Sequence, residues 1–275
     1  MTKSGQLLLL SLQEGSVRLE QVLNAEAIFD VAWNQSGRVL AQVDVTGQLI
    51  LYSFDSRLDQ TESMDLKRDS ALFVDWDNQD QNVILGHSQG SLSLVDCIEN
   101  RVTRQFEAHD FEVWVSVFDK SEANLVYSGS DDTLFKAWDL RQDSSCPVFE
   151  YKGFDAGVCS IQCHPLDPYL IACGSYDESL RILDKRRVSE EIALIELGGG
   201  VWRCEWQKNP VTDRLACACM HNGMKILEFK RKSSLEVICD YTQHESLAYG
   251  IDWCPGEDIL ASCSFYDKSL KLWTF

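Results

Sequence analysis

The stretch YSGSDDTLFKAWDLR, residues 127–141, recurs along the chain in altered form. IACGSYDESLRILDKR (171–186) and LASCSFYDKSLKLWTF (260–275) follow the same plan. Each begins with a run of small and apolar residues, passes through a turn containing Asp, and continues as an alternating strand ending in Trp or Leu. The turn acids are Asp132, Asp177 and Asp267. LACACMHNGMKILEF (215–229) carries His221 in that slot, VILGHSQGSLSLVD (83–96) carries Gln89, and VLAQVDVTGQLILYSF (39–54) carries Thr46. The slot therefore falls at 46, 89, 132, 177, 221 and 267, a period in the range that marks repeat architectures.

A second landmark keeps the same phase. A short apolar strand precedes every turn: FDVAW (29–33), LFVDW (72–76), VWVSVF (113–118), VCSIQC (158–163), VWRCEW (201–206) and YGIDWC (249–254). A more variable strand follows, as in RVTRQFEAH (101–109) and SLEVICDYT (234–242). Four short strands per repeat, with no sustained helical periodicity, predict an all-β propeller with one blade per repeat. The expected organisation is a single domain over 1–275, with a partial first blade at 1–26 and six repeats over 27–275. Residues 6–12 and 16–23 read as a third and a fourth strand. A strand at 6–12 has no place in a six-bladed ring, so a seven-bladed plan with an incomplete first blade is favoured. The alternative is six blades, with 16–23 completing the last one.

Bulk composition narrows the function. The chain has 275 residues, of which 45% are hydrophobic and 25% charged, an ordinary globular balance. No apolar run approaches the roughly 18 residues of a membrane span, and no leader pattern is recognised at the start. A formal net charge of -18 repels phosphate backbones and disfavours nucleic acid as a partner. Eleven cysteines without any C-x-x-C read as buried thiols in a reducing, cytoplasmic setting. The five histidines show no metal spacing with them, so no metal site is expected.

One motif invites a catalytic reading. Gly86-His87-Ser88-Gln89-Gly90 fits G-x-S-x-G, the turn that presents a nucleophilic serine. That turn must lead into a helix. Here it leads into SLSLVDC, which alternates with period two, so the pentapeptide is expected to be a hairpin turn.

The repeat resembles WD40. Trp138-Asp139 is a literal WD pair, and His109, Ser128, Asp132 and Trp138 match that family's buried hydrogen-bonding tetrad. Phe154, Leu183 and His221 depart from the pattern in other repeats. Over residues 105–275 the resemblance sharpens. GVCSIQ (157–162), GSYDE (174–178), GGVWR (199–203), ACMHNGMKIL (218–227), HESLAYGIDW (244–253) and CSFYDKSLKLW (263–273) occur in an order similar to that of the WD-repeat diphthine methylesterases.

That resemblance implies hydrolysis of a methyl ester on methylated diphthine, the modified histidine of translation elongation factor 2. The products would be methanol and diphthine, and no cofactor is implied. Elongation factor 2 is the implied protein partner, and the amidating enzyme of the pathway a further one. The intermediate carries a trimethylammonium group. Aromatic faces beside carboxylates suit such a cation. At the mouth of the propeller the expected substrate-binding residues are Trp114, Trp202, Arg203 and Tyr249, with Asp132 and Asp267. Expected catalytic residues are His221 as base, Asp177 as its orienting acid and Cys159 as nucleophile. The competing expectation is a WD40 scaffold without catalysis.

Overall fold

The computed structural model describes residues 4–13, 16–142, 146–208, 212–230 and 234–275. Of the expected partial first blade, residues 1–3 and 14–15 lie outside these. Among the described residues there are twenty-five strands and no helix, hence no helix long and apolar enough to cross a membrane.

A two-stranded sheet comes first: β1 (Ser4–Gln13) and β2 (Ser16–Glu26). Six sheets follow, each antiparallel with strands in sequence order. The first holds β3 (Ile28–Trp33), β4 (Val39–Asp44), β5 (Gln48–Phe54) and β6 (Leu58–Asp65). The second holds β7 (Ala71–Trp76), β8 (Asn82–His87), β9 (Ser91–Asp96) and β10 (Arg101–Glu107). The third holds β11 (Val113–Phe118), β12 (Leu125–Ser130), β13 (Phe135–Asp139) and β14 (Phe149–Tyr151). The fourth holds β15 (Val158–Cys163), β16 (Leu170–Ser175), β17 (Ser179–Asp184) and β18 (Glu191–Glu196). The fifth holds β19 (Arg203–Trp206), β20 (Arg214–Ala218), β21 (Met224–Lys230) and β22 (Ser234–Tyr241). The sixth has three strands, β23 (Ala248–Trp253), β24 (Leu260–Ser264) and β25 (Ser269–Trp273). β2 is thus paired with β1, where six-bladed closure would have placed residues 16–23 in the sixth sheet.

Within this chain the packing groups the residues into two compact units. One comprises residues 1–128 and 138–147, the other 129–137 and 148–275. In the first unit, Ala41, Val43, Leu51, Val74, Trp76 and Leu85 form the core between neighbouring sheets. In the second, Leu180, Ile182, Cys204, Trp206, Leu215 and Cys217 do the same. Strands covered on both faces lose the polar alternation of a half-exposed sheet, which is why β8 and β16 are almost wholly apolar or small.

Two devices set the spacing between sheets. Indole N–H groups reach back one repeat: Trp76 donates to the Ala32 carbonyl at 3.0 Å, Trp206 to Gln162 at 3.3 Å and Trp253 to Glu205 at 2.9 Å. Glycine allows the close approach. A Cβ at Gly86 would lie 2.8 Å from the Val113 carbonyl oxygen, and one at Gly174 would lie 2.8 Å from that of Val201. The small residues of the second strand are therefore a steric requirement.

The GHSQG stretch is a hairpin. β8 ends at His87, Ser88 and Gln89 form the turn, and β9 begins at Ser91. Ser88 donates its hydroxyl proton to Asp69 in a short hydrogen bond. The imidazole beside it in sequence is buried, and its Nε2 pairs with Ser93 at 2.8 Å. The turn leads into a strand where a nucleophile elbow needs a helix, and the adjacent imidazole is engaged by Ser93 and not by Ser88.

Candidate functional site

The turns between second and third strands supply the first layer of the site. In three of them the Asp carboxylate caps its own turn at 3.0 Å. Asp132 accepts from the Leu134 N–H, Asp177 from Ser179 and Asp267 from Ser269. The residue after each Asp is left-handed: Thr133 at φ 68°, Glu178 at 69° and Lys268 at 52°. A short side chain accepting a local N–H stabilises such a turn. Asp132 and Asp267, expected at the substrate site, are thus engaged in fastening their own turns. The turn at Met220–Gly223 lacks the Asp and closes through the Asn222 N–H on the Cys219 carbonyl at 2.7 Å, with Gly223 at φ 69°.

Asp177 is further committed. Its carboxylate takes the Asp155 N–H at 3.1 Å and the Arg181 guanidinium at 2.9 Å. Against the upward pull of desolvation, the Arg181 bond holds Asp177 below the usual carboxylate range. His221, exposed on its own turn, is not among the partners of Asp177. The expected acid–base pair does not form.

Cys159 is 5% exposed and donates its thiol to the Gly157 carbonyl at 3.4 Å. Burial first, and Asp131 second, push its pKa up to about 12. At neutral pH such a thiol supplies no thiolate, so the nucleophile role is corrected too. Trp114 belongs to the first unit, whereas Trp202, Arg203, Tyr249 and His221 belong to the second.

Within the second unit the structure gathers aromatic rings. Trp202 meets Tyr249 edge to face at 5.4 Å between centroids. Tyr249 meets Phe265 at 6.4 Å, and Phe265 meets Tyr266 at 5.1 Å. Phe265 and Tyr266 are 69% and 64% exposed, so the cluster faces solvent. Tyr176, half exposed, lies against Gly200, two residues before Trp202, where an added Cβ would come within 3.4 Å of its Cα and ring Cδ2; burial first, then Tyr266 and Tyr176, raise the Tyr249 phenol above its ordinary value. Arg203, next to Trp202, lies within electrostatic reach of Cys159 and Cys263. Trp202 and Tyr249 were legible in the sequence, but Tyr176, Phe265 and Tyr266 were not. Their signal was an aromatic residue within two positions before the turn Asp, in GSYD and SFYD.

Among the described residues a His–Ser–Trp relay of the tetrad is seen in two sheets. His109 Nε2 pairs with Ser128 at 2.7 Å, and the Trp138 indole donates to the same hydroxyl at 2.8 Å. In the sixth sheet, His244 Nε2 pairs with Ser262 at 2.8 Å and Trp273 donates to Ser262 at 2.9 Å. This second relay was not singled out in the sequence.

Comparison with known proteins adds the following. The family model for "WD domain, G-beta repeat" matches residues 145–184 and 235–274. A chain in the crystal structure of the mitotic checkpoint complex superposes with a TM-score of 0.82, covering 93% of this chain and 78% of that one at 19% identity. The fold class is accordingly all-β, of the WD40 propeller type. A Dictyostelium discoideum protein, "Diphthine methyltransferase homolog", is 35% identical over 90% of this chain and 76% of its own length. "Diphthine methyltransferase" of Schizosaccharomyces pombe is 30% identical over 98% and 86%. The Homo sapiens protein of that name is 36% identical over 66% and 44%. These names specify methyl transfer. The expectation of a carboxylic ester hydrolase is corrected on that ground.

Proposed function

The chain belongs to the WD-repeat family named diphthine methyltransferase, and we propose that it is a methyl-transferring enzyme of diphthamide biosynthesis acting on diphthine carried by elongation factor 2. The observation that carries the site assignment is the convergence of Trp202, Tyr249, Phe265 and Tyr266 on one exposed mouth. A quaternary ammonium donates no hydrogen bond and is held by π-faces, each good contact contributing about 0.5–2 kcal/mol. Diphthine presents such a cation. Arg203, adjoining Trp202, holds the substrate carboxyl oxygen through charge-assisted hydrogen bonds.

Incubation with diphthine-bearing elongation factor 2 and a methylsulfonium donor, which gives up its methyl group and leaves as a neutral thioether, read by intact-protein mass spectrometry, tests the reading. A mass change of one methyl group supports an enzyme. Tight binding with no mass change leaves a scaffold in its place. Trp202→Ala should lower turnover at limiting substrate about tenfold, the equivalent of roughly 1.4 kcal/mol.

A further inference from the structure

The fourth sheet lacks the tetrad. Phe154 stands where the third and sixth sheets carry His109 and His244, and Leu183 stands in the Trp slot. In their place is a buried cation. Arg181, in the middle of β17, is 5% exposed. Its guanidinium lies over the Phe154 ring at 4.6 Å, reaches Asp177 at 2.9 Å, and donates through Nε to Glu191 at 3.1 Å. Glu191 in turn accepts the Tyr151 hydroxyl at 2.5 Å. The network spans β14, the loop before β15, the turn after β16, and β17 and β18. It does the relay's work with charge-assisted bonds, which are stronger and more directional than neutral ones.

What it holds is the turn bearing Tyr176. The Tyr176 N–H donates to the Gly157 carbonyl at 2.8 Å, and Ser175 fixes the same carbonyl at 3.0 Å. The carboxylate of Asp177, the next residue, is clamped by Arg181. Opposite lies Gly200, where a Cβ would come within 3.4 Å of Tyr176 Cα and ring Cδ2 and 3.0 Å of Met220 Sδ. Tyr176, 49% exposed, is therefore seated between a clamped turn and a glycine that leaves room for its ring.

We infer that Arg181 is a positioning residue: through Asp177 it fixes Tyr176 as a wall of the aromatic mouth, and so sets affinity for the cationic group of the substrate. The inference rests on the mouth being the substrate site. It requires Tyr176 and Arg181 to act through one another, which a merely structural role for Arg181 does not.

The test is a double-mutant cycle on the whole chain. The probe is diphthine-bearing elongation factor 2, with Kd measured by biolayer interferometry. Tyr176→Ala should raise Kd about five- to tenfold, the size of one lost cation–π contact. Arg181→Met should raise it by a similar factor, and the double variant should be no worse than Tyr176→Ala alone. Lys225→Met removes the buried cation at the matching position of β21. Its effect should multiply with that of Tyr176→Ala. Where Arg181→Met does not fold, Arg181→Lys and Glu191→Gln take its place, with Lys expected to restore part of the affinity. Multiplicative effects of Arg181 and Tyr176, or an unchanged Kd on altering Arg181, overturn the positioning role and leave the mouth assignment intact. If Tyr176→Ala and Trp202→Ala both leave Kd unchanged, the mouth assignment falls and this inference with it.

Discussion

The fourth and sixth sheets fasten the same kind of turn by opposite means. In the sixth, a buried imidazole joins Ser262, Trp273 and the turn: His244 Nδ1 is 2.9 Å from Ser269 and 3.5 Å from Asp267. This relay is satisfied with the imidazole neutral. In the fourth, a guanidinium that never loses its charge is matched by Asp177 and Glu191. The contrast separates two solutions to one requirement, that buried polar groups be paired. A neutral relay avoids desolvating ions but is exposed to protonation. An ionic one resists protonation at mild pH but fails badly when a single partner is removed.

The largest effect should come from breaking the ionic network. Arg181→Met leaves two carboxylates facing a buried methionine and should cost about 3–5 kcal/mol, read as the shift in denaturation midpoint. The neutral relay should give way more gently. Trp273→Phe removes the N–H to Ser262 but preserves the ring stacked on Tyr241 at 4.1 Å, and should cost about 1–2 kcal/mol by the same measurement.

Acid distinguishes the two without mutation. Burial lowers the folded-state pKa of His244 below 6.5, with Asp267 opposing. A depressed pKa means that the unfolded chain binds the proton more readily. The His244 contribution is thus complete above pH 6.5 and lost as pH falls below it. Asp177 is also depressed, from 3.8, so its contribution persists until pH falls below that value. Amide hydrogen exchange at pH 5.5 should therefore show protection lost in β25 before β17. Simultaneous loss would show the two fastenings to be equivalent. The smallest effect is reserved for Ser88→Ala, which removes one partly exposed hydroxyl contact. It should shift stability by about 0.5–1 kcal/mol and leave methyl transfer unchanged.

The two fastenings also differed in how far they could be read from sequence. The strands were legible because short alternating runs recur in fixed phase with a turn residue. The His109–Ser128–Trp138 relay was legible because Trp138 heads a WD pair and His109 and Ser128 keep their phase in the same repeat. His244 was missed because its partner tryptophan, Trp273, is followed by Thr rather than Asp. Arg181 was missed for a physical reason. A basic residue on an alternating strand reads as a solvent-facing position, and nothing local reveals that Phe154 and Glu191 fold over it. The aromatic cluster was half legible: the positions of Trp202 and Tyr249 follow from strand phase, while Phe265 and Tyr266 depend on how the turn aims its side chains. The assignments to Asp177 and Cys159 failed because neither a carboxylate's bonding partners nor a thiol's burial can be read from spacing. The direction of the methyl chemistry was legible in no single residue.

The indole bonds between first strands bear on how these repeats tolerate change. Trp76 and Ala32 are 44 residues apart, as are Trp206 and Gln162, yet Trp253 and Glu205 are 48 apart with a bond of the same kind. The indole therefore acts as a gauge block. It holds neighbouring first strands at one separation whatever length of loop has been threaded between them. Surface loops can lengthen at small entropic cost, since closure depends only logarithmically on length. Drift in repeat length is thereby uncoupled from the pitch of the sheets, and insertions can accumulate at the loops without being transmitted to the strands that carry Trp206 and Trp253.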